Sequence, residues 1–190
     1  MLAIPEVFQP RPQQRLFRLL LDAMARPGRV ADLGPWLDDA PAALGIIATL
    51  VDTTARFADP DHWLTPAQRR WLASPEVPVA EADFIAVDGR RPPPADFAPR
   101  LGTLTAPEQG ATLIVIVDDL MAAAPRHHLT GPGIDGSRTT SLGDLHLAWL
   151  QRRATWVKFF PLGVDLFVCD RHRAVALPRT AVLTPGKIPP

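Results

Sequence analysis

The sequence predicts an α/β fold: a three-layer domain with a mixed β-sheet flanked by helices. Three observations carry this. Before residue 75, apolar side chains recur at helical spacing; after residue 82 the period changes to short apolar runs rich in β-branched residues; and one helical segment returns between those runs. Strands covered by helices before and between them bury their apolar faces in a layered arrangement. With 190 residues and 47% hydrophobic content the chain is long enough for one core. The expected organisation is therefore a single domain over 1–183 and a loose Pro-rich tail over 184–190.

The elements follow in order. From Pro12 to Arg26, the residues Leu16, Leu19, Leu20, Ala23 and Met24 leave one apolar helical face. Pro27-Gly28 stops this helix, and Arg26 sits in its last turn, where the macrodipole favours a cation. A second helix is expected from near Pro41, after Asp38 and Asp39, through Leu44, Ile47, Leu50 and Val51 toward Phe57. The stretch "LTPAQRRWLA" supplies Thr65 as N-cap, Pro66 at the first helical position and Gln68 to complete a capping box, giving a short third helix. "DFIAVDG" reads as a brief strand ending in a turn. "ATLIVIVDDL" holds the run Leu113 to Val117, β-branched at four of five positions, as expected of a strand buried on both faces. "SLGDLHLAWLQRR" returns to helical spacing through Leu142, Leu145 and Trp149. "GVDLFV" and "AVAL" are two more strands, joined by the polar turn "CDRHR". Prolines, 22 in all against a usual share of ~5%, punctuate the chain, most densely in "RRPPPADFAP" between two apolar segments. There is no internal repeat.

Charge and composition narrow the function classes. Twenty basic and twenty acidic residues cancel, so no global field draws the protein to nucleic acid or anionic lipid. No apolar run approaches the ~18 residues of a membrane span, and "MLAIPEVFQPRP" lacks the basic and apolar regions of a secretory signal. A soluble cytoplasmic protein is expected. The single Cys169, in "VDLFVCD", is expected to be a buried inert thiol.

The stretch "HHLTGPGIDG", His127 to Gly136, invites a phosphate-loop or metal reading. Neither fits. Pro132 stands in the middle of the glycines and has no N–H to offer an anion, and no Gly-Lys-Ser/Thr follows. On a strand, His127 and His128 point to opposite faces and do not share one metal ion. A turn after a strand containing Leu129 is expected. Ser137 and Ser141 flank "RTT" without a nucleophile elbow. Asp118 and Asp119, at the end of a buried strand, are the best-placed acids, because ligands of open α/β sheets gather at strand carboxyl ends; a solvated strand end is the plainer alternative. Asp165 faces either solvent or a partner. Arg26, Arg29 and Arg179 are candidates for holding a phosphate, against the alternative of solvation or pairing with carboxylates. In "TAPEQGA" and "PRT", Glu108, Gln109 and Arg179 are costly to bury alone. They fit either an interface rim, with Trp149 and Trp156 as its anchors, or mutual satisfaction within the monomer. No catalytic constellation is visible in these residues.

Five segments in register carry a resemblance over nearly the whole chain: "FRLLLDAMARPGRV" (17–30), "GTLTAPEQGATLIV" (102–115), "LTGPGI" (129–134), "FPLGVDLFV" (160–168) and "ALPRTAVL" (176–183). Together they resemble the family of H subunits of the bacterial carbon–phosphorus lyase core complex. The Pro-rich stretch 90–99 and the residues after Leu183 match no motif of that family. The resemblance implies assembly with G, I and J subunits as partners, and a homodimer when the chain is alone. It implies a role in phosphonate catabolism as a subunit of a transferase that joins an alkylphosphonate to ribose C1 of ATP and releases adenine. In that family the nucleosidase-type chemistry is assigned to the I subunit, and a separate iron–sulfur subunit later cleaves the carbon–phosphorus bond. MgATP is the substrate of the complex, and no cofactor is bound by this chain. The implied fold is similar to the large domain of pyridoxal-phosphate (PLP) transferases without PLP. The residues agree: Lys158 and Lys187 are the only lysines; Lys187 lies in a Pro-rich tail, and Lys158, in "TWVKFF", lacks the flanking Ser/Thr and Gly of a phosphate cup. Arg26, Glu108 and Arg179 are the expected partner or phosphate contacts. The alternatives are an independent enzyme acting on a phosphorylated metabolite and a pyridoxal-type transferase.

Overall fold

In the computed structural model, residues 5–122 and 125–185 are described. Helix α1 spans Pro10–Ala25, with prolines in its first turn where their missing N–H groups cost nothing. It buries Pro12, Leu16, Leu20 and Ala23 and ends at Arg26, before Gly28 at φ +78°. Strand β1 (Val30–Asp32) follows, then helix α2 (Ala42–Leu50). This second helix stops at Leu50 and does not run on toward Phe57. Asp52 accepts the backbone N–H groups of Thr54 and Ala55, a local turn that competes with helix, and Phe57 belongs to a strand. That strand is β2 (Phe57–Ala58); α3 (Pro66–Leu72) comes next with the full capping box of Thr65 and Gln68. Strand β3 is Phe84–Asp88, the hairpin β4–β5 is Leu101–Thr103 and Ala106–Gly110, and β6 is Thr112–Ile116. Then come β7 (His127–Thr130), β8 (Arg138–Thr140), α4 (Leu147–Trp156), β9 (Asp165–Cys169), β10 (Arg173–Leu177) and β11 (Val182–Pro185).

The fold is α/β with a mixed sheet. Six strands run in the order β1-β10-β9-β6-β3-β2. Strands β2, β3, β6 and β9 are parallel neighbours, while β10 is antiparallel to both β9 and β1. A second sheet, β11-β7-β8, is antiparallel, and β4–β5 is a hairpin of its own. Alternation along the central strands fills both faces. Ala86, Ile114, Phe167 and Ala176 join α1 and α2 in one core; Ile85, Leu113, Val115, Leu166 and Val175 join Trp149, Leu150 and Trp156 of α4 in the other. The uninterrupted apolar run of β6 is thus explained by helix layers on both sides.

Three further expectations need correcting. The fourth helix begins at Leu147 with His146 Nδ1 accepting the Ala148 N–H; Leu142 and Leu145 pack into the core from the preceding loop, where Gly143 turns at φ +60°. Thr184 and Pro185, expected in a tail, pair in β11 with His128 and His127; residues 186–190 lie outside the described residues. Trp149 and Trp156, expected as surface anchors, are buried around Phe97, with ring centroids 5.2 and 5.9 Å from it. The Pro-rich stretch is strapped over α4. Trp149 Nε1 donates to Arg91 O at 2.8 Å and Arg152 Nη2 to Phe97 O at 2.6 Å. Among the described residues no helix is long and apolar enough to cross a membrane.

Candidate functional site

The carboxyl ends of the parallel strands bring together acids from separate turns. Arg90 bonds Asp88 at 2.8 Å and Asp118 at 2.8 Å; Arg91 bonds Asp61 at 2.9 Å and Asp88 at 3.1 Å. Arg173 pairs with Asp119 at 3.0 Å and Asp170 at 2.7 Å. The hydrogen bond from Arg90 is the main cause holding the Asp88 carboxyl at about 2. Burial works to raise Asp170, but N–H groups of His172, Arg173 and Leu120 outweigh it and keep its carboxyl below the ordinary range. Groups that exchange protons near neutrality need a pKa near the working pH. Asp88 and Asp170 are shifted the other way, and Asp118 and Asp119 accept from arginines. This end of the sheet is a charge-paired clasp.

The second convergence is at the turn 178–181, after β10. Arg179 lies against Asp165 at the start of β9: its backbone N–H donates to Oδ1 at 2.7 Å, and its Nη2 and Nε to Oδ2 at 2.7 and 3.1 Å. Its Nη1 donates to Pro107 O at 2.6 Å, tying the β4–β5 hairpin to the sheet. Arg153 approaches from α4, only 3% exposed, and its Nη2 donates to Pro178 O at 2.7 Å and Ala181 O at 2.9 Å. Burial pushes the Arg153 guanidinium down to about 10, while the Asp165 charge pulls it the other way. The turn is thus pinned by two arginines and one carboxylate.

Glycines let the neighbouring backbones reach this turn. A Cβ on Gly110 would meet the carbonyl of Gly163 and the Arg179 guanidinium; one on Gly131 (φ +129°) would come 2.8 Å from Thr180 O. A Cβ on Gly133 (φ +79°) would run into the carbonyl of Ala25. Residues 25–28, 105–110, 129–133, 160–165 and 176–181 therefore form one connected unit. Each of the five segments that carry the resemblance contributes to it.

The remaining candidates separate. Arg26 is exposed at the end of α1 and forms an ion pair with Asp22, remote in sequence from the hairpin. Glu108 is exposed on β5 and, among the described residues, makes no ion pair; Arg179 pairs with Asp165 instead. Arg29 is exposed, 3.7 Å from Asp22. His127 is buried and His128 exposed, on opposite faces of β7. Cys169 is fully buried, and that burial pushes its thiol well above the usual range. Among the described residues no group of three or more His, Cys, Asp or Glu is placed to hold a metal ion. Arg153 and the Arg90–Asp88 pair were not singled out from the sequence. A signal for Arg153 exists: it stands four residues after Trp149 and three before Trp156, on the apolar face of α4.

The comparisons with known proteins agree with one another. The family model described as bacterial phosphonate metabolism protein (PhnH) matches residues 8–184. The chain is 39% identical to a protein of Stutzerimonas stutzeri named as a C-P lyase subunit, HtxG, covering 92% of this chain and 87% of the relative. It is 30% identical to the alpha-D-ribose 1-methylphosphonate 5-triphosphate synthase subunit PhnH of Rhizobium meliloti (strain 1021), covering 90% and 89% of the two chains.

Proposed function

The chain belongs to the PhnH family of bacterial phosphonate metabolism proteins, and from that premise we propose that it is an assembly subunit of a carbon–phosphorus lyase complex in the cytoplasm. Its partners are the G, I and J subunits, and alone it forms a homodimer. The complex transfers an alkylphosphonate to ribose C1 of MgATP with loss of adenine, and this chain contributes no complete active site to that step. One observation supports the assembly role above others. The pinned unit and the residues next to it hold large apolar side chains out in water: Leu104 at the hairpin tip is 76% exposed, and Phe159 and Phe160, in the adjoining loop, are 68% and 66% exposed. Large apolar side chains held out on a rigid support are typical of protein interfaces.

Phe160→Glu tests this directly. Exposed as it is, the change should alter stability by less than ~0.5 kcal/mol. It should weaken association with the co-expressed subunits at least ~tenfold, as loss of an aromatic anchor does. Glu108→Arg is a milder second probe of the same face. Arg179→Glu is not, because it breaks the clamp to Asp165 and reports on folding. Unchanged association of a folded Phe160→Glu protein would remove this face from the interface.

The likeness to the large domain of PLP transferases is part of the same proposal, as is the lack of PLP. A pyridoxal enzyme needs a lysine in an enclosed pocket with a partner for the ring nitrogen. Lys158 is exposed beyond the end of α4, its Nζ 5.4 Å over the Phe159 ring, and Lys187 lies outside the described residues. Borohydride reduction after incubation with stoichiometric pyridoxal phosphate should leave no selective adduct. A single stable adduct at Lys158 would contradict the reading.

A further inference from the structure

A cavity of about 330 Å³ opens between β1, at one edge of the large sheet, and β8, at one edge of the small one. Its polar lining is unlike the clasp at the strand ends. Arg126 and three consecutive hydroxyl residues, Thr139, Thr140 and Ser141, line it together with the apolar Val30 and Met121. No carboxylate lines it among the described residues. Arg126 is exposed and, among the described residues, makes no ion pair, whereas most arginines near the strand ends do.

The hydrogen bonds leave one hydroxyl donor free. Ser141 Oγ accepts the Gly143 N–H at 3.2 Å, so its own hydroxyl proton remains to be donated. Thr139 Oγ1 lies 3.1 Å from His128 Nδ1, and Thr140 Oγ1 donates to Ser141 O at 3.2 Å, so the other two hydroxyls are held in place. A second positive charge stands beside them. Arg138 Nη1 donates to the carbonyls of Arg26 and Pro27 at 3.3 and 3.4 Å, and no carboxylate of the described residues pairs with it. Gly28 completes the wall at φ +78°, where any Cβ would press on Leu129 and Arg138.

Guanidinium groups offer only donors, and a cavity that pairs one with a free hydroxyl donor and no acid among its described lining favours an anion with several acceptor oxygens. We propose that this cavity binds a small tetrahedral oxyanion, a phosphate or phosphonate group, with Arg126 as its charge partner and Ser141 as a hydroxyl donor. Val30 and Met121 form the side against which an apolar substituent of the ligand lies. The site is complete within one chain and does not require the assembly role.

Calorimetric titration of the full-length chain alone, at constant ionic strength, provides the test. Inorganic phosphate and methylphosphonate are the two probes. Saturable one-site binding with Kd near or below ~5 mM is expected for at least one of them. Arg126→Gln and Ser141→Ala, both at accessible positions, should each weaken it, the former at least ~tenfold. Tighter binding of methylphosphonate assigns the Val30–Met121 wall to the alkyl group; equal or weaker binding assigns the site to phosphate groups in general. Absence of saturable heat with both probes up to ~20 mM overturns the proposal. So does binding that both variants retain in full.

Discussion

Asp165→Ala should lower stability by ~3–5 kcal/mol, the usual cost of leaving a buried charge without its partner. Two arginines depend on this carboxylate. Arg179, with its side chain 13% exposed, receives three hydrogen bonds' worth of orientation from it, and Arg153 is 3% exposed with no other acid identified as acting on it. Removal of Asp165 leaves Arg153 in a setting that burial already disfavours and takes from Arg179 its carboxylate partner. The turn 178–181, the hairpin and the start of β9 lose their common anchor. In a chain of this size the melting temperature should fall by roughly 10 °C. Chemical denaturation of both proteins measures the effect. A loss below ~1 kcal/mol would mean that the charges are solvated in the native state and that the pin is weak.

Gly133→Ala should cost about 3 kcal/mol, from two sources that its neighbour separates. At φ +79° any L side chain is strained by ~1–2 kcal/mol, and here the new Cβ also meets the Ala25 carbonyl. Gly136 has φ +65° but nothing within 4 Å of its would-be Cβ. Its replacement by Ala should therefore cost only the conformational share, ~1 kcal/mol. Equal losses at the two positions, read from denaturation midpoints, would show that the contact between residues 25 and 133 does not hold the turn.

Local chemistry makes several elements legible in the sequence alone. The capping box of Thr65 and Gln68, the β-branched run of β6 and the pair β9–β10 are written in short windows and stand where they were expected. What failed was decided at a distance. Strand β1 has only three residues and exists because β10 offers it an edge, and β8 and β11 exist because β7 does. Leu142 and Leu145 match a helical period by chance of spacing; Asp144 spends its carboxylate on the N–H groups of Asp118 and Asp119, and the helix starts later. The site shows the same division. The glycines and Arg179 were conspicuous in the sequence, but the partner of Arg179 is fourteen residues earlier and that of Gly133 more than a hundred. No spacing rule links such residues. Family resemblance found the segments; the fold shows that all five contribute to one connected unit.

The proposed assembly has this chain working as a subunit through the face built on that unit. Its most direct measurement is the mass, by size-exclusion chromatography with light scattering, of the chain co-expressed with the G, I and J subunits. A stable hetero-oligomer containing this chain in fixed stoichiometry is expected, with the Phe160→Glu protein falling out of it while remaining folded. Elution of the wild-type chain at its own mass, separate from an otherwise assembled complex, would contradict the account.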